Sequence, residues 1–145
     1  MNGHFTFALI KPTAVLQNHT AEILTHISKT GFKIVALKMV QVSQKEAESF
    51  YEVHKNKPFY KELTQYLATS PIVVMVLEKE NAVQNFRNFI GVTDPKDAAE
   101  GSIRKIFGIT RQANAIHGSD SDENAIRETF FFFSEREIFS EINLS

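Results

Sequence analysis

The sequence predicts an α+β fold: a four-stranded, mostly antiparallel sheet with helices packed on one face of it. Three observations carry that prediction. The length of 145 residues suits one domain. The composition, 43% hydrophobic and 23% charged, is that of an ordinary globular chain. Apolar patterns of period two, or unbroken apolar runs, alternate with amphipathic stretches in the order strand, helix, strand, helices, strand, helix, strand.

Each element has its own local reason. Phe5 to Ile10 sets Phe5, Phe7 and Leu9 against Thr6 and Ala8, the alternation of a half-buried strand. Thr20 is placed to cap a helix carrying Ile23, Leu24 and Ile27 on one face, with Gly31 as its C-terminal stop. Lys33 to Val42 reads as a second strand. Ser43-Gln44-Lys45-Glu46 has capping-box spacing and opens a helix through Val53. Pro58 to Ala68 fits another helix. Ile72 to Leu77 is apolar at every position, as a central strand requires. Asn81 caps a helix whose Val83, Phe86 and Ile90 face inward and which Gly91 ends. Residues 92–114 read as irregular, with one turn of helix at Ile103 to Phe107. Ser121 caps a short helix whose Asp122 and Glu123 sit in the positive first turn. Phe130 to Phe133 then reads as the last strand, buried on both faces. This order is the ferredoxin-like split βαβ sandwich, one domain spanning 1–145.

Composition excludes several classes of function. A formal net charge of −1 gives no broad electrostatic footprint for nucleic acid, and the absence of cysteine removes disulfides, thiolate zinc sites and cysteine nucleophiles. Met-Asn-Gly-His-Phe lacks the pattern of a signal peptide, and Ile72 to Leu77, the longest apolar run, is too short for a bilayer. The chain reads as cytoplasmic, with no membrane partner. There is no G-x-x-x-x-G-K-[ST] and no G-x-G-x-x-G. Asp120, Asp122 and Asn124 mimic the start of an EF-hand loop, but Ala125 and Phe131 replace its obligatory Gly and Glu.

The most informative stretch is Asn114-Ala115-Ile116-His117-Gly118-Ser119-Asp120-Ser121. His117 stands between a short apolar pair and a turn feeding a helix N-terminus, whose unpaired N–H groups suit an anion. Gly118 lets backbone or ligand approach the ring, and Ser119 adds a hydroxyl. A lone histidine in a turn is more often a packing residue, but five small or polar neighbours around one ring point to phosphate. His4, His19 and His26 lack such a setting, whereas His54 precedes Lys55, Lys57 and Phe59 and suits a supporting role near a site.

Residues 114–120, together with Phe7-Ala8-Leu9-Ile10-Lys11-Pro12, Lys57-Pro58-Phe59-Tyr60, Gly91-Val92-Thr93-Asp94-Pro95 and Gly101-Ser102-Ile103-Arg104, resemble the nucleoside diphosphate kinase family from Phe5 to about Phe139. The resemblance implies that His117 is a nucleophile. It would take the γ-phosphate of a nucleoside triphosphate as phosphohistidine and give it to a nucleoside diphosphate, a ping-pong cycle that maintains nucleotide pools. It implies that Glu128 fixes the ring's tautomer and that Ser119 bonds either the histidine's surroundings or the transferred group. Arg87, Arg104, Thr93 and Tyr51 would meet the phosphates, Lys11 and Asn114 the ribose, and Phe59 the base. Mg2+ would arrive with the nucleotide, within reach of Asp120 through water. A homo-oligomer, a hexamer or tetramer built from dimers of a half-exposed sheet, is also implied. The sequence departs from the family pattern at Lys57 (commonly Arg), Glu100 (commonly Pro), Lys105-Ile106 (usually Gly-Asp) and Arg111 (often small and apolar, against the base). RNA-recognition modules share the topology, but they interleave exposed aromatics with basic residues, and the Phe run here is continuous.

Overall fold

The structure, a computed structural model, describes residues 3–141. The first two residues, on which the reading of the N-terminus partly rests, and residues 142–145 lie outside it. The strands are β1 (Phe5–Ile10), β2 (Lys33–Val40), β3 (Ile72–Glu78) and β4 (Ile116–Gly118), ordered β2-β3-β1-β4 in one sheet. All three neighbouring pairs are antiparallel. β3 lies between β1 and β2, which is the insertion that splits a βαβ unit. The helices are α1 (Pro12–Leu16), α2 (Thr20–Lys29), α3 (Gln44–Phe50), α4 (Tyr60–Leu67), α5 (Ala82–Ile90), α6 (Ile103–Phe107) and α7 (Asp122–Phe132). Short 3-10 turns follow α3, precede α6 and follow α7.

Helices cover both faces of the sheet rather than one. Phe5, Phe7, Leu9, Val74 and Val76 share a core with Ala47 and Phe50 of α3 and Leu67 of α4. Ala8, Ile10, Val73, Met75 and Leu77 share the other with Ile23 and Ile27 of α2, Phe86 and Ile90 of α5, and Ile103 of α6. The alternation in β1 therefore sorts residues between two cores, not between core and water, and Thr6 is buried too. The sheet face that an RNA-recognition module would use is taken up by packing.

The last strand is also relocated. Phe130, Phe131 and Phe132 form the final turn of α7, and the fourth strand is Ile116–Gly118. The Ser121 hydroxyl accepts the Asn124 N–H at 3.1 Å and commits the chain to helix. Ala125, Glu128, Thr129 and Phe132 then fall at helical spacing on the inward side, while Phe130 is left 45% exposed. Phe132 stacks on Phe7 of β1, with ring centroids 5.5 Å apart. Tertiary packing outweighs the β preference of a Phe run.

Other boundaries follow their local chemistry. The Ser43 capping box forms as its spacing predicts, Gly31 and Gly91 terminate α2 and α5 at positive φ, and α6 occupies the predicted turn. Two caps differ. His19, not Thr20, precedes α2 without a side-chain cap bond, and Asn81 precedes α5 in the left-handed region, also without one. α1, directly after Lys11, is a helix that the sequence pattern does not mark. No helix among the described residues is long and apolar enough to cross a membrane.

Candidate active site

A cavity of about 560 Å³ opens where the C-terminal end of β1 meets β4, α6 and the start of α4. His117 lies in β4 opposite Leu9, and Lys11 lies one residue past the end of β1. The Lys11 N–H donates to the Ala115 carbonyl at 2.8 Å, which locks the two strand ends together. Ala115 takes φ 78°, a left-handed conformation that costs an L-residue about 1–2 kcal/mol and that this bond helps hold. Gly118 has a reason different from approach to the ring. A Cβ there would stand 2.8 Å from the Phe86 ring of α5, so only glycine lets β4 lie this close to that helix.

The ring of His117 is oriented through one nitrogen. Its Nε2 lies 2.9 Å from Glu128 Oε1, and the Ser119 hydroxyl donates to the same oxygen at 2.6 Å. An ionised carboxylate only accepts, so Nε2 carries the hydrogen and Nδ1 keeps the lone pair. The rings of Phe50 and Tyr51 meet the imidazole edge-on, at centroid distances of 5.6 and 6.3 Å. Glu128 reaches the histidine because α7 starts straight after the β4 turn and turns its inward face to the sheet.

The cavity is cationic. Lys11, Arg87, Arg104 and Arg111 all line it, and among the described residues none forms a salt bridge. Arg104 donates instead to neutral carbonyls, Nη1 to Gly91 and Nη2 to Ile116, each at 2.9 Å. Its Nε is buried and has no hydrogen-bond partner among the described residues. Burial, then the nearby Arg87, lowers its pKa to about 10, so it stays charged at neutral pH. Lys11 is 6% exposed and, among the described residues, its Nζ bonds only the Gln112 carbonyl, at 3.2 Å. Burial, reinforced by Arg104, pulls its pKa down to about 7.

That depression predicts a trade of stability for binding. Between pH 7 and 10.5 the unfolded chain holds the Lys11 proton and the folded chain does not, so this group's contribution to stability rises with pH across that window. At lower pH both states are charged, and burial of the cation opposes folding by several kcal/mol, an order-of-magnitude figure. Lys11→Met is therefore expected to raise the melting temperature of nucleotide-free protein, more at pH 6 than at pH 9. The same change should shrink the stabilisation given by added nucleotide. Thermal melts at both pH values, with and without ADP, check this; a lower melting temperature at pH 6 contradicts it.

Comparison with known proteins decides the family. The family model described as nucleoside diphosphate kinase matches residues 4–138. The chain belongs to the nucleoside diphosphate kinase family. A nucleoside diphosphate kinase of Chlamydia trachomatis serovar D is 50% identical over 137 residues, 94% of this chain and 97% of that protein. A crystal structure of the Aquifex aeolicus nucleoside diphosphate kinase superposes with a TM-score of 0.91 at 41% identity, covering 92% of this chain and 97% of that one. The Halobacterium salinarum nucleoside diphosphate kinase, solved in complex with CDP, gives 0.89 at 32% identity, covering 97% and 93%. As a nucleoside diphosphate kinase, the protein is an enzyme that transfers phosphate between nucleotides.

The residues singled out by likeness to nucleoside diphosphate kinases converge on the cavity from distant parts of the chain. Lys11, Tyr51, Phe59, Arg87, Thr93, Arg104, Asn114, His117, Asp120 and Glu128 all line it. Ser119 does not; it is fully buried beneath Glu128, which leaves it the histidine's surroundings rather than the transferred group. Asn114 donates to the Thr93 carbonyl at 2.9 Å, while its buried Oδ1 has no partner among the described residues. Phe59 is 49% exposed, not core, and stands 5.7 Å from the ring of His54, which also lines the cavity. Gln112 escaped the sequence reading because its bond to Lys11 is made by a backbone carbonyl, which no residue type advertises. Burial and Glu128 raise the pKa of Tyr51, which stays a neutral phenol. Among the described residues no group of three or more His, Asp or Glu is arranged to hold a metal. Asp120 brings one carboxylate, with Oδ1 accepting from Asn124 at 2.5 Å.

Proposed function

We propose that His117 carries the phosphate between two nucleotides in a ping-pong cycle, with Nδ1 as the attacking atom. The observation that supports this most is the pairing of Nε2 with Glu128 in a cavity whose four cations form no salt bridge among the described residues. In the first half-reaction the Nδ1 lone pair bonds the γ-phosphorus of a nucleoside triphosphate. The bond to the bridging oxygen breaks, and its electron pair leaves with the diphosphate. The imidazolium so formed keeps its Nε2 hydrogen and is stabilised by the Glu128 carboxylate, itself held by Ser119. In the second half-reaction a terminal oxygen of the acceptor diphosphate bonds phosphorus, and the N–P electron pair returns to Nδ1.

Arg104, Arg87 and Lys11 hold and neutralise the phosphates, the larger part of phosphoryl-transfer catalysis, with Thr93 and the Tyr51 hydroxyl adding neutral donors. Lys11 and the unpartnered Asn114 Oδ1 suit the ribose hydroxyls. Phe59, half in water at the mouth, stacks on the base and tolerates any of them. With no metal-holding group of three or more His, Asp or Glu side chains among the described residues, Mg2+ would be carried by the nucleotide, with Asp120 meeting it through water; when bound, the ion supplies further charge neutralisation. We place the activity in the cytoplasm. The test is incubation with γ-labelled ATP and magnesium. Protein-bound label that survives alkali, is lost in acid and passes to added GDP is expected; acid-stable label overturns the assignment to histidine.

We further propose dimers formed through β2, assembled into hexamers or tetramers. Among the described residues β2 is an edge strand with β3 as its sheet neighbour; its Val35 carbonyl accepts the Phe139 N–H at 2.8 Å, while Leu37 and Met39 further along are 47% and 60% exposed. Leu16 of α1 is 70% exposed. Light scattering is expected to give an oligomeric mass that Met39→Lys lowers. A monomeric wild type contradicts it.

A further inference from the structure

We infer that Arg127 is a positioning residue for the transfer: its guanidinium clamps α7 to the end of α3 and so sets both the carboxylate that holds His117 and the rings that wall it. This rests on the phosphate-transfer reading above and adds to it a residue outside the cavity on which the geometry of the nucleophile depends. Arg127 immediately precedes Glu128 on α7 and is not one of the residues lining the cavity. Its Nη1 donates to the Phe50 carbonyl at 3.0 Å and its Nη2 to the Ser49 carbonyl at 2.7 Å. Ser49 and Phe50 are the last two residues of α3, at the end where a helix leaves carbonyls without their regular partners and where a cation is favoured. Glu123 stands one turn earlier on α7, yet among the described residues Arg127 forms no salt bridge, so its fork serves α3.

The joint has two consequences at the imidazole. Successive helix residues point about 100° apart, so the direction in which Arg127 is held fixes the direction in which Glu128 points. With Arg127 pinned on α3, Glu128 Oε1 stands 2.9 Å from Nε2. The same fork holds the backbone of Phe50 and hence of Tyr51, whose rings meet His117 edge-on. Phe131 and Phe132 of α7 also pack on the Phe50 ring, at centroid distances of 5.4 and 5.3 Å. An apolar contact lets the helices slide and tilt, whereas two directed hydrogen bonds do not. Lysine keeps the charge but cannot span two carbonyls in a fixed plane.

The test compares wild type, Arg127→Ala and Arg127→Lys, each alone and with Glu128→Gln, well below the melting temperature of every variant. Arg127→Ala is expected to lower the rate of phosphohistidine formation at saturating ATP about fivefold or more. KM for ATP and GDP should shift by about twofold or less, because the residue touches no nucleotide. Arg127→Lys should recover less than about half of the lost rate. In the Glu128→Gln background the alanine change should cost less than about twofold, since the bond it positions is already weakened. Nitrogen NMR of the His117 ring in nucleotide-free enzyme should show hydrogen on Nε2 in wild type and a mixture of tautomers in Arg127→Ala, a signature that lost stability alone does not produce. An unchanged rate overturns the inference. So does a loss of equal size in the Glu128→Gln background with the tautomer still fixed, which would make Arg127 a stabilising residue only. If Arg127→Ala does not fold, Arg127→Lys carries the same comparisons. If wild type takes up no label from γ-labelled ATP, the phosphate-transfer reading fails instead, while the ring tautomer still reports on the clamp.

Discussion

Replacing His117 with alanine is expected to remove protein-bound phosphate completely and to cut nucleotide-to-nucleotide transfer on the order of 10⁴-fold or more, the scale on which loss of a covalent nucleophile acts. The residual rate would have to come from direct transfer between two nucleotides, without the covalent relay on His117. Binding should survive, because the phosphate cations belong to other elements: Lys11 follows β1, Arg87 rides α5 and Arg104 rides α6. The change should also leave the fold intact, since the ring is at the cavity and its loss frees Glu128 to keep the Ser119 bond. Nucleotide-induced thermal stabilisation, measured beside phosphate uptake, separates the two effects. A variant that binds ATP and still labels as wild type does would move the nucleophile elsewhere. Glu128→Gln is the companion: a ring whose Nε2 meets an amide can settle in either tautomer, so transfer slows without disappearing.

How far the sequence displays this site depends on whether a residue acts through its side chain or its position. His117 and Lys11 stand out because a charged or nucleophilic group beside an apolar strand or glycine turn is unusual on physical grounds, whereas Arg104 is picked out only by the family resemblance. Glu128 is harder. Its role depends on α7 turning residue 128 toward β4, and Ser121 signals that helix while the Phe run beyond it reads as strand. β4 itself has only three residues, too few for any period to register. Gly118 is legible as a special position but not for the right reason, since the Phe86 ring that demands it lies 32 residues earlier in sequence and across a helix–sheet contact. The covering of both sheet faces has the same origin. β1 alternates Phe and Leu with Thr and Ala, and small apolar residues against a helix look like a solvent face until the helix is placed.

Arg104→Ala is expected to lower the maximal transfer rate by roughly tenfold to a thousandfold, through lost stabilisation of charge developing on the transferred group. The structure complicates that experiment in a way that sharpens it. Arg104 also bridges the carbonyls of Gly91 and Ile116, so alanine strands two acceptors and loosens the joint between the α5 end and β4. A fall in rate could then reflect a displaced His117. Arg104→Lys separates the causes, because it keeps one full charge in a cavity already holding Lys11 and Arg87 but cannot span both carbonyls at once. If charge on the phosphates is the main term, lysine should recover much of the rate while melting temperature stays depressed in both variants. If the bridge is the main term, lysine should fail like alanine, and phosphate uptake by His117 should fall in step with stability. The rate of phosphohistidine formation at saturating ATP, set against the thermal midpoint for both variants, decides between them. A rate unchanged in Arg104→Ala would take the residue out of the mechanism altogether and leave the phosphates to Lys11 and Arg87.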